Sequence, residues 1–272
     1  MSPALLAYEM GGAPVQLLVG DRDLVPSLKL LFPQYEASPL GAAPGRPAMT
    51  VERSDRGWIV AESGVRHDCR TVIEVAEAIE FALTQAFLGR LPAVAQAHAA
   101  AAVFPRGAVL LLGGEGAGKT SLAFFLSRLG HPVLGDDVTL VVPGGRARAF
   151  KRLFKVDPAV LMEAGVPPES TRLWEPEATT AWYDPAESGG WAEEAPVAAV
   201  GILRRAAGTA ARVRPVSRST TLNALMHSLL PTGAHGPAAF DILATALRDA
   251  VTFELDFADA ATGVRALETL MR

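Results

Sequence analysis

Residues 113–120 read Gly-Gly-Glu-Gly-Ala-Gly-Lys-Thr. A short apolar run, Val109-Leu110-Leu111-Leu112, precedes them, and Leu122, Phe125, Leu126 and Leu129 follow at helical spacing. The chain is thereby committed to a buried strand, a tight glycine loop and a helix, in that order. Gly113, Gly114, Gly116 and Gly118 accept backbone conformations that other residues resist, so successive N–H groups can turn toward one anion. The helix predicted over 119–129 points its positive end at the same place. In this arrangement Lys119 reaches the β- and γ-phosphates of a nucleoside triphosphate, and the Thr120 hydroxyl ligates Mg²⁺. The expected nucleotide-binding stretch is Gly113, Gly114, Glu115, Gly116, Ala117, Gly118, Lys119, Thr120 and Ser121.

Asp136 and Asp137 follow Gly135, and only the loop helix and Pro132-Val133-Leu134 separate them from the loop. That places both carboxylates at the carboxyl end of a neighbouring strand, beside the phosphates. Two carboxylates there can divide the work. One holds Mg²⁺ directly or through water, and the other accepts the proton of an incoming hydroxyl, as phosphoryl transfer requires.

The remaining sequence sets bounds. With 272 residues the chain can form one large or two small domains, and residues 1–90 read as a small α+β module separate from a nucleotide module over 91–272. Within the first, strands are expected at 15–19, 49–52 and 57–60, a short helix at 24–31, a glycine- and proline-rich connection at 39–47, and a long helix at 71–88. Asp21 and Asp23 read as turn residues. The second module continues with strands at 138–142 and 197–203, a hairpin return at 146–150, helices at 220–230, 238–250 and 261–271, and a strand at 251–257.

A net charge of −4 provides no global field for nucleic acid or an anionic membrane, and no apolar run reaches the length of a membrane span. The basic cluster Arg146, Arg148, Lys151, Arg152 and Lys155 is short and lacks the interleaved aromatics of a single-strand binder. A single cysteine, Cys69, rules out an internal disulfide and suits a reducing cytosol, so a cytoplasmic location is expected. Residues 163–194 carry Glu163, Glu169, Glu175, Glu177, Asp184, Glu187, Glu193 and Glu194 against one Arg172, with Trp174, Trp182 and Trp191 among prolines and glycines. This stretch reads as a long loop, either a lid over an acceptor or a tethered loop without a role.

Four features in fixed order carry a resemblance to a known family. His98 leads a strand; the glycine loop follows; then a helix; then Gly130-His131-Pro132-Val133-Leu134-Gly135-Asp136-Asp137. This resembles the catalytic domain of HPr kinase/phosphorylase and its related proteins, where a Gly-His-x-Leu-x-x-Asp-Asp segment closes the series; Val133 stands in the place of the leucine. The similarity is good over about 92–157. It implies an α/β fold with a P-loop core of the HPr kinase/PEP carboxykinase type, ATP and Mg²⁺ as cofactors, Asp136 as general base and Asp137 as the carboxylate on the Mg²⁺ side. By the same resemblance His98 approaches the phosphates or the acceptor. Arg152 or Lys151 would neutralise the transferred phosphoryl group, although a solvated basic face reads equally well. His131 is expected to pack at the helix end.

The long glycine- and arginine-rich segment that accompanies phosphorylase activity is absent from this sequence, so HPr itself and the reverse reaction are not expected. Relatives of this kind accompany small peptide-modification systems, which implies a serine of a protein or modified peptide as acceptor. Two other readings stay open: a kinase of a small metabolite using the same residues, and a nucleotide-binding switch without transfer. The resemblance also leaves a homo-oligomer open.

Overall fold

The computed structural model describes residues 2–10, 14–37, 48–62, 64–208 and 210–272. The connection expected at 39–47 lies outside the described residues. The fold is mixed α/β, and its chain contacts divide it into two compact units, one of residues 1–90 and 167–182, the other of 91–166 and 183–272.

The first unit is a six-stranded mixed sheet in the order β3-β1-β2-β4-β5-β6, built from β1 (Ala4–Tyr8), β2 (Val15–Val19), β3 (Glu36–Ala37), β4 (Met49–Ser54), β5 (Gly57–Glu62) and β6 (Val65–Cys69). The segment expected as a helix at 24–31 forms a 3₁₀ turn at Arg22–Leu24 followed by α1 (Val25–Lys29), where Pro26 accepts the first helical turn because it needs no amide donor. Asp21 does more than turn the chain. Its carboxylate accepts from Arg53 and the Trp58 indole, both at 2.9 Å, tying β4 and β5 to the turn. The helix α2 (Val72–Leu88) starts where Thr71 accepts the Glu74 amide at 3.1 Å. It buries Val75, Ile79, Leu83 and Phe87 on one stripe. Phe87 closes an aromatic cluster with Phe32 and Tyr35 at 5.6 and 5.5 Å between centroids.

The second unit is organised around a nine-stranded sheet. Its strands are β7 (Ala95–Ala97), β8 (Ala100–Phe104), β9 (Gly107–Leu112), β10 (Val133–Gly135), β11 (Thr139–Val142), β12 (Arg146–Arg148), β15 (Glu194–Arg205), β16 (Arg212–Pro215) and β17 (Val251–Phe257). The intervening chain contributes β13 (Phe154–Val156), and β14 (Ala181–Tyr183) falls where the division between the units crosses the chain. The helices are α3 (Lys119–Arg128), α4 (Pro158–Glu163), α5 (Arg218–His227), α6 (Gly236–Leu247) and α7 (Ala260–Met271).

The order is β10-β8-β9-β15-β12-β11-β7, with β17 beside β15 and β16 beside β17. The strand β15 is the axis. Its first residues pair antiparallel with β12, and its remainder lies between β9 and β17, parallel to both. Every residue of β9 is buried, as its unbroken apolar run demands of a strand covered on both faces. Ala108, Leu110 and Leu112 cluster with Leu225 of α5 and with Ala239 and Leu243 of α6. Alternation then turns Val109 and Leu111 to the opposite face. The helices α3 and α7 pack closely because Gly263 has no Cβ, which would lie 2.7 Å from a methyl of Leu122.

The stretch 163–194 is not the continuous loop that its prolines and glycines suggest. Proline initiates 3₁₀ turns at Pro168–Ser170 and Pro185–Glu187, and the strand β14 buries Ala181, Trp182 and Tyr183 between them. β15 runs three residues earlier than expected, because Arg146 and Arg148 on β12 clasp Glu194 at 2.5 and 2.8 Å. Among the described residues no helix is long and apolar enough to cross a membrane.

Gly201 sits in the middle of β15 beneath the Phe253 ring of β17, whose atoms would lie 2.4 Å from an added Cβ. Gly201→Ala therefore overpacks the axis of the sheet and is expected to destabilise the protein by about 1–3 kcal/mol in urea unfolding. An unchanged midpoint would mean that the ring moves aside freely.

Candidate active site

The site lies at the carboxyl ends of β9 and β10, where an open α/β sheet places its ligands. β9 ends at Leu112 and the chain enters the glycine loop. Gly113 is held close to Ala117, whose methyl would lie 2.6 Å from a Cβ at 113, and Gly116 and Gly118 take positive φ of 72° and 89°. Gly118 is the N-cap of α3 and brings no side chain to its first-turn amides. Those amides and the helix dipole together favour an anion.

Lys119 is 7% exposed. Its Nζ donates to the carbonyls of Gly113 at 2.7 Å and Gly114 at 3.2 Å, closing the loop on itself. Burial lowers its pKa, and the negative charges of Asp137, Asp136 and Glu115 oppose that shift. The field of the aspartate pair therefore reaches the loop lysine. Thr120 and Ser121 are half-buried at the start of α3, and Glu115 is exposed at the loop tip.

The aspartates follow β10 in a tight return. An added Cβ on Gly135 would lie 2.2 Å from the Val138 carbonyl oxygen, so no other residue fits that turn without moving the backbone. Asp136 is 2% exposed, whereas the Asp137 side chain is 39% exposed. Three hydrogen bonds bring their partners in. The Phe150 amide donates to the Leu134 carbonyl at 3.0 Å, and two residues further along each segment Arg152 meets the aspartates. Its Nη2 lies 2.7 Å from Asp137 Oδ2 and its Nε 3.7 Å from Asp136 Oδ1. His98 stands in the return between β7 and β8. Its amide donates to Ser228 at 2.7 Å, the next carbonyl, Ala99, accepts from the Thr139 hydroxyl at 2.9 Å, and its ring Nδ1 lies 2.8 Å from Asp137 Oδ1.

Burial alone would raise the Asp137 pKa. The bond from His98 and the charge of Arg152 outweigh it and hold the carboxyl well below the usual carboxylate range. Asp137 is therefore ionised at neutral pH.

His98, Arg152, Asp136 and Asp137 thus form one cluster, and Lys119 lies within its field. Lys151, read as an alternative to Arg152, pairs instead with Glu193. His131 packs at 4.3 Å on Phe104, with Glu268 at 3.6 Å from its Nε2. Arg205 is a residue that the sequence motifs do not mark. It closes β15, and its guanidinium lies against Gly118 of the loop, 3.1 Å from where a Cβ would stand. The only trace of it in the sequence is an arginine pair ending a strand. Among the described residues no three metal-ligating side chains converge. Mg²⁺ that arrives with a nucleotide needs only one or two carboxylates besides phosphate oxygens. An accessible, ionised Asp137 and the Thr120 hydroxyl fit that donor set. No protein-family model matches the chain, and no curated protein matches it.

A carboxyl held below its ordinary pKa stabilises the fold above that ordinary value, and the contribution disappears as pH falls toward the lower folded value. Asp137→Asn removes it. The gap in urea midpoint between wild type and Asp137→Asn is expected to narrow between about pH 5 and about pH 3. A constant gap would show that the His98 and Arg152 contacts contribute nothing to stability.

Proposed function

We propose that the chain is an ATP- and Mg²⁺-dependent kinase with a P-loop core of the HPr kinase/PEP carboxykinase type. It transfers the γ-phosphoryl group to a serine hydroxyl of a protein or modified peptide. The observation that carries the reading is the pairing of a glycine loop and its lysine with two carboxylates of unequal character. A site for nucleotide binding alone has no use for a second carboxylate beside the phosphates.

Lys119 exchanges the Gly113 and Gly114 carbonyls for the β- and γ-phosphates, while the loop amides hold the β-phosphate. Asp137 and Thr120 would hold Mg²⁺, which would supply positive charge to offset that of the phosphates. A strongly acidic carboxylate is a poor base but a good cation ligand, which leaves Asp136 to take the proton. The serine oxygen attacks the γ-phosphorus, the bond to the bridging oxygen of ADP breaks, and the serine proton passes to Asp136. Arg152 keeps the adjacent carboxylates compatible, and His98 orients Asp137. Most of the rate comes from positioning and charge stabilisation.

The test is a γ-labelled ATP assay with Mg²⁺, the purified chain, lysate of its source, and any short peptide encoded beside its gene. Label is expected on a protein or peptide. Asp136→Asn is expected to lower transfer by about 10³-fold while ATP binding stays close to wild type. Label confined to a small molecule would replace the peptide acceptor with a metabolite. ATP binding without any transfer would reduce the protein to a switch, and full activity of Asp136→Asn would remove Asp136 as the base.

A further inference from the structure

We propose that Arg205 binds the nucleoside end of the nucleotide, stacking the planar base on its guanidinium; this rests on the triphosphate reading above. The sheet order supplies the direction. β10 with Asp136 and Asp137 lies on one side of β9, while β15 and β17 lie on the other. A triphosphate whose γ-phosphate points to the aspartates therefore carries its nucleoside out over the ends of β15 and β17. Arg205 and Phe257 are the last residues of those two parallel strands, paired in register.

The arginine is prepared for this place. Its Cζ lies 4.8 Å from the centre of the Phe257 ring, and its Nη1 donates to the Ala258 carbonyl at 2.8 Å. The Ala206 amide donates to the Phe257 carbonyl at 3.1 Å and fixes the strand end beneath it. One face of the guanidinium is thus laid against an aromatic ring, and the side chain is otherwise exposed. Its neighbours are engaged differently. Arg204 pairs with Glu254 at 2.6 Å, and Arg214 pairs with Glu254 and Asp256 at 3.2 and 2.8 Å. Arg205 lies near the Asp259 carboxylate, whose pKa its charge helps to lower, and its side chain stays exposed beside the loop, so its plane is open to a ligand. An added Cβ on Gly118 would lie 3.1 Å from the guanidinium, so only glycine at that point lets the loop and the arginine stand this close. A base on the outer face completes a stack of ring, guanidinium and base, an arrangement that arginine supports and lysine does not.

The experiment is calorimetric titration of the full chain with Mg-ATP and, separately, with inorganic tripolyphosphate, which keeps the phosphates and lacks the nucleoside. Arg205→Ala is expected to weaken ATP binding by about tenfold, the scale of one lost base stack. Tripolyphosphate affinity is expected to stay within about twofold, since its phosphate contacts are untouched. Arg205→Lys keeps the charge and loses the plane, and it should weaken ATP binding like the alanine variant. Equal weakening of both ligands would overturn the proposal and make Arg205 a phosphate or loop contact. Wild-type ATP affinity in either variant would also overturn it. Tripolyphosphate binding by the variants shows that their loop is folded. A wild-type chain that binds neither ligand would overturn the nucleotide reading itself, a result distinct from a failure at Arg205.

Discussion

Two adjacent carboxylates, one of them buried, are costly to bring together unless a cation is fixed beside them. That constraint organises the second unit. Arg152 is that cation, 8% exposed and paired with both aspartates. The Phe150 to Leu134 hydrogen bond, the glycine return at Gly135 and the anchoring of His98 through Ser228 and Thr139 all bring these charges together. The cluster joins three segments, the return after β7, the turn after β10 and the chain after β12, which the β7–β11 ladder and the Phe150 to Leu134 bond already hold side by side.

The same constraint divides the labour of the pair. Asp137 receives His98 and Arg152 and stays accessible, which favours a cation ligand. Asp136 is enclosed, with the Arg152 Nε 3.7 Å from its Oδ1, and is the carboxylate to which the proposed transfer gives the proton. The chemistry proposed for the site follows from this asymmetry more than from the presence of two acids. The glycine loop adds direction, because its lysine feels the aspartates on one side and Gly118 touches Arg205 on the other.

Much of this was legible beforehand. The apolar run of β9, the loop glycines and the leucine spacing of α3 state a strand, a turn and a helix locally, and local steric rules suffice to read them. Gly135-Asp136-Asp137 at short range from the loop was legible for the same reason. The strands β1, β6 and β16 were not. β6 is mostly exposed and polar, and β16 alternates arginines, so neither shows a hydrophobic period. The proline- and glycine-rich chain at 163–194 concealed β14, whose burial depends on where the rest of the protein lies.

The sequence by itself determined the glycine loop between a strand and a helix, the position of the acidic pair after a strand, and the elements with strong period, because each depends on residues close together in the chain. Only the tertiary structure decided that Arg152 rather than Lys151 meets the aspartates, that His98 bonds Asp137, and that Arg205 stands beside Gly118. Those contacts join residues 15 to 87 positions apart, and their distances are set by strand order and register, which no local pattern encodes.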